Sequence, residues 1–401
     1  MSGSGVDRKM KVAVCGGGNA AHVLVPALKE AGASWVGVFT PFQEEASRIS
    51  EGVASGGIVA RYPDREARGV PDVVTSAADG LIPQADIVIL AVPAFAHLGM
   101  LNAIGPHLKE GAWVGAMPSR GGFEFLGTHP DIARKSALLF GFQTLPWACR
   151  IVAYGRSVRV LGVKRTVRVG SLPSAAAAEV AERLGRLIGI RMRPVASMLA
   201  ITLGNVGQIV HPGIMYGLFR DREDVAFAEE EIPLFYQGVT EAVAGVLDCI
   251  SDEIGLVAGA LSLKAGWTGD DCRVGSLREW LIESYGDAIA DPRDTRSCLA
   301  TNSAYAGLRI PIVKSGALHR PDFRSRYLTE DVPYGLVVTK GIADICGVAT
   351  PTIDEVLATC SRWMGAEYYV DSRPVGRDIK NSRHPVNFGI ATAEQLVRAG
   401  S

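Results

Sequence analysis

A run of glycines near the start of the chain constrains the fold more than any other feature. Residues 11–22 read KVAVCGGGNAAH, so a short apolar segment leads directly into Gly16, Gly17 and Gly18, and residues 20–31 are compatible with a helix. The glycines would let the backbone approach a pyrophosphate, and the free N–H groups of the helix start would face its negative charge. Read as G-x-G-x-x-G/A, the fingerprint is Gly16, Gly18 and Ala21, and it indicates a dinucleotide site.

The segments after this turn favour a doubly wound fold. Apolar runs without alternation recur at residues 35–40, 85–92 and 112–117, which is typical of parallel strands covered by helices on both faces. We therefore predict an N-terminal Rossmann domain with a doubly wound, mainly parallel sheet. The alternative is an ordinary buried strand and tight turn with no ligand. The predicted cofactor contacts are Gly16, Gly17, Gly18, Asn19, Ala20 and Ala21 in the turn, Phe42 and Gln43 after the second strand, and Val92 and Pro93 after the run 85–92.

The choice between NAD and NADP depends on the residues after the second predicted strand. A Rossmann unit that selects NAD usually places Asp or Glu there, on the ribose diol. Residues 39–43 read FTPFQ, so no acid occupies the usual position, although Glu44 or Glu45 could reach back to it. The nearest basic residue is Arg48, about two turns into the predicted following helix. The pattern favours NAD and leaves NADP open.

Length and charge exclude several classes of protein. At 401 residues the chain is too long for one compact core, so two domains are expected. The 41 basic and 42 acidic residues give no footprint for nucleic acid or an anionic membrane. Seven scattered cysteines form no C-x-x-C pair, which suits a reducing cytosol and indicates neither a disulfide framework nor a zinc site. The first ten residues have no apolar core, so we expect a flexible lead-in rather than a signal peptide.

The pattern along the chain changes near Pro194. Strand and helix signals alternate before it, with strands predicted at 137–142, 157–163 and 165–171 and a helix ending at about 188. After it the pattern predicts helices at 198–219, 232–263, 277–290, 334–346, 352–364 and 392–399. We therefore predict a lead-in at residues 1–10, the Rossmann domain at 11–193 and an all-helical domain at 194–401. Segment 198–219 has no acid or lysine, but its polar residues and glycines favour a buried helix over a membrane span.

Three stretches place polar groups in apolar or tight surroundings. They are GFQTLPWACR at residues 141–150, VHP at 210–212 and RYLTEDVP at 326–333. A single histidine in an apolar helix, such as His211, is more often a buried structural residue than a catalyst. Thr329, Glu330 and Asp331 before Pro333 also look like a helix N-terminus. The residue types by themselves leave both interpretations open.

Longer motifs resemble the opine dehydrogenase family, in order and with similar spacing from about residue 11 to residue 388. The motifs are GGGN-x-AH at residues 16–22, VPAFAH at 92–97, GFEF at 122–125, TLPWACR at 144–150, HP at 211–212, FYQG at 235–238 and RYLTED at 326–331. The resemblance implies a Rossmann domain joined to a helical opine dehydrogenase domain. It also implies an oxidoreductase acting on CH–NH groups. Such an enzyme uses NADH to condense an amino acid with a 2-oxo acid, usually pyruvate, through an imine.

The resemblance also implies roles for particular residues. His211 matches the family's catalytic histidine, Asp331 the aspartate that orients it, and Arg326 the arginine that clamps a substrate carboxylate. Imidazole suits proton transfer near neutral pH, and a guanidinium can bind a carboxylate through two parallel hydrogen bonds. The implied substrate contacts are Ser119, Arg120, Gln143, Thr144, Cys149 and Asn205.

Three of these positions depart from the octopine-forming members of the family. Gln143 stands in place of an acidic residue, Asn205 in place of a methionine and Arg120 in place of a glutamine. The loss of an acid and the gain of an arginine disfavour a cationic substrate such as arginine. A small neutral or acidic partner, such as alanine, glycine, taurine or β-alanine, is favoured instead. The family contains monomers and dimers, so a monomer or a homodimer is expected, with no nucleic-acid or membrane partner.

Two other functional classes stay open at this point. One is a different Rossmann-plus-helical reductase, of the 2-hydroxy-acid, glycerol-3-phosphate or ketopantoate type. The glycerol-3-phosphate and ketopantoate enzymes normally rely on a catalytic lysine, and Lys314 and Lys340 are the lysines nearest to the motifs. The other class is a nucleotide-binding regulator that has lost catalysis, against which the set of His211, Arg326 and Asp331 argues.

Overall fold

The computed structural model describes residues 10–267 and 273–401. This part of the chain forms two compact units. The first contains the described chain up to Pro118 together with Leu126–Pro194, and the second contains Ser119–Phe125 and Val195–Ser401. The second unit therefore includes a short segment from within the predicted Rossmann range 11–193. Of the predicted lead-in, residues 1–9 lie outside the described residues.

The first unit is built on an eight-stranded sheet. Its strand order is β12-β11-β8-β7-β6-β1-β2-β5, and neighbouring strands pair in parallel except for β8 and β11. The strands of the first unit are β1 (Lys11–Cys15), β2 (Trp35–Phe39), β3 (Ile58–Arg61), β4 (Glu66–Gly69), β5 (Val73–Thr75), β6 (Ile87–Leu90), β7 (Trp113–Ala116), β8 (Leu138–Phe142), β9 (Trp147–Ala153), β10 (Ser157–Val163), β11 (Thr166–Leu172) and β12 (Arg191–Pro194).

This sheet confirms the predicted doubly wound fold. The order β5-β2-β1-β6-β7-β8 is the 3-2-1-4-5-6 order of dinucleotide-binding proteins, whose strand order reverses between β1 and β6. Central strands are buried on both faces, as the unbroken apolar runs predict: all four residues of β6 have no exposed surface. The helices of this unit are α1 (Asn19–Glu30), α2 (Gln43–Ala54), α3 (Ala78–Leu81), α4 (His97–Ile104), α5 (Pro130–Arg134) and α6 (Ala177–Ile188).

A second sheet of the first unit has no counterpart in the sequence prediction. Its strand order is β4-β3-β10-β9, and it brings the chain around residue 150 next to α1. The side-chain oxygen of Asn19 accepts a hydrogen bond from the N–H of Ile151 in β9 at 2.7 Å. The start of α1 is thus fixed from this second sheet.

The second unit is helical with one small hairpin. Its helices are α7 (Met198–Leu203), α8 (Gly207–Phe219), α9 (Glu241–Ala265), α10 (Leu277–Tyr285), α11 (Thr295–Thr301), α12 (Arg326–Thr329), α13 (Val337–Cys346), α14 (Pro351–Met364) and α15 (Ala393–Gly400). The hairpin joins β13 (Ile312–Ser315) and β14 (Leu318–Pro321), so the prediction of an all-helical domain missed one local element. Within the described residues, the helices are too short or too polar for any of them to cross a membrane.

Two predicted helices of this unit differ from the observed ones. The predicted helix 198–219 is divided into α7 and α8, because the chain turns at residues 204–206, where the side chain of Asn205 accepts the N–H of Gly207 at 3.2 Å. The predicted helix 232–263 begins only at Glu241, where Thr240 caps it by accepting the N–H of Val243. Residues 235–238 instead form a tight turn, in which a Cβ on Gly238 would collide with the carbonyl oxygen of Leu234.

Candidate active site

The centre of the candidate site is an imidazole–carboxylate pair in the second unit. His211 lies in α8, and its Nδ1 is 2.7 Å from Oδ2 of Asp331, which precedes a π-helical turn at Val332–Leu336. The side chain of Asp331 is 1% exposed and that of His211 is 14% exposed. Asp331 does lie at a helix start, as the pattern predicts, but its side chain makes no capping bond. Its carboxylate faces the histidine instead.

Aromatic side chains surround the ring of His211. Tyr327 stacks on it at a centroid distance of 4.1 Å and an interplanar angle of 2°, and Phe235 lies at 5.9 Å. The hydroxyl of Tyr236 is 3.1 Å from Nε2 of His211. Sequence reasoning did not select Tyr236 or Tyr327 as site residues, although both lie in motifs that carry the family resemblance. The presence of a tyrosine inside each motif was the sequence feature that could have identified them.

Arg120 brings a positive charge to the same carboxylate. Its Nη1 is 2.6 Å from Oδ1 of Asp331, and its Nε is 3.4 Å from Oε1 of Glu330. Burial lowers the pKa of Arg120, but Asp331 and Glu330 outweigh burial and raise it, so the guanidinium stays charged. The backbone of Arg120 has a φ of 59°, an uncommon left-handed conformation for a residue with a side chain. Gly207 leaves room for this contact, since a Cβ there would collide with Nη1 of Arg120.

Asn205 lies beside this guanidinium. Its Oδ1 is 3.3 Å from Nη1 of Arg120, whereas its buried Nδ2 has no hydrogen-bond partner among the described residues. A buried donor without a partner costs free energy unless a ligand or water accepts from it. The two substituted positions of the second unit, Arg120 and Asn205, are therefore in contact.

Arg326 joins the cluster through Glu330. Its Nη2 is 2.5 Å from Oε2 of Glu330, while its side chain is 63% exposed. Arg326 and Arg120 thus bind different oxygens of the same buried carboxylate, and Arg120 in turn contacts Asp331 of the His211–Asp331 pair. Glu330 is a further residue that sequence reasoning regarded only as part of a helix start.

Buried hydrogen bonds to Thr202 and Arg383 hold the segment that carries Arg120, and a buried acid takes part in them. The Oγ1 of Thr202 donates to the carboxylate of Glu124 at 2.7 Å and accepts the N–H of Gly122 at 2.9 Å. Burial raises the pKa of Glu124 to about 7. Nη1 of Arg383 donates to the carbonyl of Ser119 at 3.0 Å and to that of Gly121 at 3.3 Å. Ser119, predicted as a substrate contact, is fully buried, and its backbone takes part in this anchoring.

The glycine turn of the first unit has the geometry that a dinucleotide requires. Gly16 has a φ of 123°, and a Cβ there would collide with the carbonyl of Ala91 and the side chain of Val92. The space beside Gly18 is open, since a Cβ there would meet no atom within 4 Å. Helix α1 begins at Asn19 and has no acid in its first turn. A pyrophosphate could therefore approach the backbone of the turn without meeting a negative charge from this helix.

Glu45 is the acid that reaches back to this turn. It lies in α2, and its carboxylate accepts hydrogen bonds from the hydroxyls of Thr40 and Tyr154, the latter at 2.9 Å. A Cβ on Gly17 would collide with both the Glu45 carboxylate and the Tyr154 hydroxyl. The guanidinium of Arg48 lies over the Tyr154 ring at 4.5 Å. Of the two acids that the sequence left open, Glu45 is therefore the one beside the glycines.

The other predicted cofactor contacts lie on loops and helix starts of the first unit. Phe42 directly precedes α2 and is 69% exposed, and Gln43 begins that helix and accepts a hydrogen bond from Ser76. Val92 and Pro93 follow β6, and Ala20 and Ala21 are buried in α1.

The predicted substrate contacts Gln143, Thr144 and Cys149 also belong to the first unit. All three are buried, and Oγ1 of Thr144 has no hydrogen-bond partner among the described residues. Burial raises the pKa of the Cys149 thiol to about 11, which makes it a neutral side chain near pH 7. Of the predicted site residues, those that the structure brings together are in the second unit: His211, Asp331, Arg120, Asn205 and Arg326.

Comparison with known proteins identifies the class of this chain. Residues 194–364 match the family model described as "NAD/NADP octopine/nopaline dehydrogenase, alpha-helical domain". The chain is 34% identical to the octopine dehydrogenase of Pecten maximus over 399 residues, covering 97% of this chain and 98% of that one. It therefore belongs to the octopine and opine dehydrogenase family.

Further relatives agree with this membership. The chain is 36% identical to the opine dehydrogenase of Haliotis discus hannai over 406 residues, covering 97% of this chain and 99% of that one. A solved structure of octopine dehydrogenase with NADH and L-arginine superposes with a TM-score of 0.85 at 33% identity, covering 97% and 98% of the two chains.

Proposed function

We propose that this protein is an NADH-dependent opine dehydrogenase. It condenses the amine of an amino acid with a 2-oxo acid, pyruvate in the first instance, and reduces the resulting imine to an N-(1-carboxyalkyl) amino acid. The observation that carries the proposal is the buried His211–Asp331 pair, in a chain of which 97% aligns with octopine and opine dehydrogenases.

The first unit binds the cofactor. The backbone of Gly16, Gly17 and Gly18 and the start of α1 hold the pyrophosphate, and Phe42, Gln43, Val92 and Pro93 line the remaining surface. Bound NADH supplies the hydride for the reduction. Glu45, whose carboxylate lies beside Gly17, would hold the ribose diol and so favours NADH over NADPH.

His211 moves protons during the condensation. Addition of the amine, loss of water and reduction all require proton transfer near neutral pH, for which imidazole is suited. Asp331 accepts a hydrogen bond from the Nδ1–H group, fixes the tautomer and stabilises the imidazolium, because its buried carboxylate is screened little by water. Arg326, with most of its side chain exposed, binds a substrate carboxylate. The family resemblance assigns Ser119, Arg120 and Thr144 to contacts with the oxo acid.

The amino acid is small and neutral or acidic. Arg120 and Asn205 are in contact beside the His211–Asp331 pair, so a positive charge occupies the region where the resemblance places the amino acid. A cationic side chain would meet this guanidinium. Gln143, in place of an acid, also removes the negative charge that would bind such a side chain, and Cys149 adds none.

A panel of amino acids assayed with pyruvate and NADH tests the function. We expect loss of NADH absorbance only when the oxo acid and the amino acid are both present, with alanine, glycine, taurine or β-alanine faster than arginine. Oxidation of NADH by pyruvate alone would indicate a 2-hydroxy-acid dehydrogenase. Binding of NADH without turnover on any amino acid would indicate a regulator.

The role of His211 has its own test. His211→Gln should bind NADH normally and lose at least about 100-fold in kcat, since a positioned acid–base group contributes roughly 10²–10⁴. His107→Gln, at a half-buried position of the first unit, is the matched control. Retained turnover in His211→Gln would remove His211 from the acid–base role.

A further inference from the structure

The hydroxyl of Tyr236 is hydrogen-bonded to Nε2 of His211, the ring nitrogen that does not face Asp331. Nδ1 of His211 faces a carboxylate, which can only accept, so in the neutral ring Nδ1 carries the proton and Nε2 is an acceptor. The hydroxyl of Tyr236, 3.1 Å from Nε2, therefore donates to it. A base with this tautomer exchanges protons with its surroundings through Nε2, and the group already bonded there is a phenol.

The surrounding structure holds this phenol in place. The Tyr236 ring stacks on Tyr305 at 4.0 Å and 15°, and it meets Phe235 edge-on at 4.8 Å. The side chain of Gln237 pins the turn by donating to the carbonyl of Ala300 and accepting the N–H of Gly307. Tyr236 is 8% exposed. Its hydroxyl can therefore neither swing away from Nε2 easily nor exchange its partner for bulk water.

We propose that Tyr236 is a second catalytic residue, which relays protons between Nε2 of His211 and the oxygen of the reacting carbonyl carbon. The proposal rests on the opine dehydrogenase function. In the loss of water from the amine–carbonyl adduct, the Tyr236 hydroxyl gives its proton to the adduct hydroxyl. The C–O bond breaks, its electrons leave with water, and the nitrogen lone pair forms the C=N bond. In the same step Tyr236 regains a proton from Nε2 of His211, which took that proton from the amine nitrogen as the adduct formed, and Asp331 stabilises the imidazolium between the two transfers.

Tyr236→Phe tests this relay, because it removes the hydroxyl and keeps the ring that packs on Tyr305. We expect the single-turnover rate of NADH oxidation with pyruvate and amino acid to fall at least about tenfold. Affinity for NADH, measured by fluorescence, should change less than about twofold. Tyr62→Phe, in the first unit, controls for the loss of a phenol elsewhere.

Deuterated solvent gives a second readout that a purely structural role would not change. The relay transfers two protons in one step, so the single-turnover rate of the wild type should depend on the D2O fraction along a bowed curve. In Tyr236→Phe it should become a straight line. Should the variant fail to fold, the wild type decides, because a straight line there overturns the relay.

The failures of the two proposals differ. A wild type without turnover on any amino acid would overturn the opine dehydrogenase function, and the relay with it. An active wild type accompanied by an equally fast Tyr236→Phe overturns the relay and leaves the function in place.

Discussion

Arg120 and Asp331 form a buried ion pair across 211 positions of sequence, with Nη1 of the arginine 2.6 Å from Oδ1 of the aspartate. The other oxygen of Asp331, Oδ2, lies 2.7 Å from Nδ1 of His211. One oxygen of this carboxylate is thus paired with a permanently charged guanidinium, and the other with a titratable imidazole ring. The side chains of Arg120 and Asp331 are 15% and 1% exposed, so water screens this arrangement little.

Removal of Arg120 should destabilise the fold. Arg120→Ala leaves the buried carboxylate of Asp331 with His211 as its remaining side-chain partner among the described residues. Breaking a buried pair in this way typically costs about 3–5 kcal/mol. Urea unfolding at pH 7 measures the effect. Arg326→Ala is the matched control: it removes an exposed arginine from Glu330, which keeps Arg120, so a loss of about 0–1 kcal/mol is expected. Equal losses for the two variants would contradict the assignment of Arg120 as the buried partner.

Substitution of Gly207 should disturb the site, although Gly207 itself carries no reacting group. A Cβ at this position would collide with Nη1 of Arg120 and Oδ1 of Asp331. We therefore expect Gly207→Ala to lower kcat at least about tenfold, since small displacements of catalytic groups have large effects on rate. Gly245→Ala is the control, because it lies in α9 with open space around its Cβ and should gain about 0.5–1 kcal/mol of stability. Full activity of Gly207→Ala would show that Arg120 can move without consequence.

Glu45 should control the preference between the two nicotinamide cofactors. Its carboxylate lies beside Gly17, and Arg48 is close by on the ring of Tyr154. Glu45→Gln removes the negative charge that would repel a ribose 2′-phosphate, so the ratio of kcat/KM for NADH to that for NADPH should fall at least about tenfold. Glu44→Gln, at the exposed neighbouring position, should leave the ratio unchanged. The assignment fails if both variants keep the ratio of the wild type.

Glu124 should make stability depend on pH. Burial raises its pKa to about 7, above the ordinary value of 4.5. The folded chain therefore holds this proton more tightly than the unfolded chain, so the stabilisation is fully present below about pH 4.5 and is lost as the pH rises through about 7. The shift corresponds to about 2–4 kcal/mol.

Unfolding of Glu124→Gln checks this expectation. The variant keeps a side-chain oxygen for Thr202 but cannot ionise. Its free energy of unfolding relative to the wild type should therefore rise by about 2–4 kcal/mol between pH 5 and pH 8. Glu110→Gln, at an exposed position, should show no such rise. A constant difference between Glu124→Gln and the wild type across this range would rule out the raised pKa.

The sheet of the first unit could be predicted from the sequence because its signals are local. An apolar strand running into glycines and a helix is readable within about twenty residues, and the strand order follows from the fold type. The break between α7 and α8 could not be predicted, because Gly204 and Asn205 lie within an otherwise apolar, helix-compatible run. The break depends on a hydrogen bond that the N–H of Gly207 donates to the side-chain oxygen of Asn205, which no periodicity reveals.

The site was predictable only in part, for a different reason. His211 and Asp331 are 120 positions apart, and the family resemblance, not the residue pattern, related them. The resemblance assigned Arg120 to the substrate, whereas its ion pair with Asp331 required coordinates. Tyr236 lay within a quoted motif without a role, since nothing in the motif shows which atom its hydroxyl faces.

The segment Ser119–Phe125 has a consequence for exchanging parts between relatives. Residues 195–401 look like a transferable half, yet their His211–Asp331 pair is completed by Arg120, and Thr202 is bonded to Glu124, both from the earlier segment. A chimera that grafts another relative's C-terminal half onto this chain would combine a foreign histidine–aspartate pair with this chain's guanidinium. The substrate selectivity of such a chimera would match neither parent. A transfer of the second unit therefore has to include Ser119–Phe125 as well.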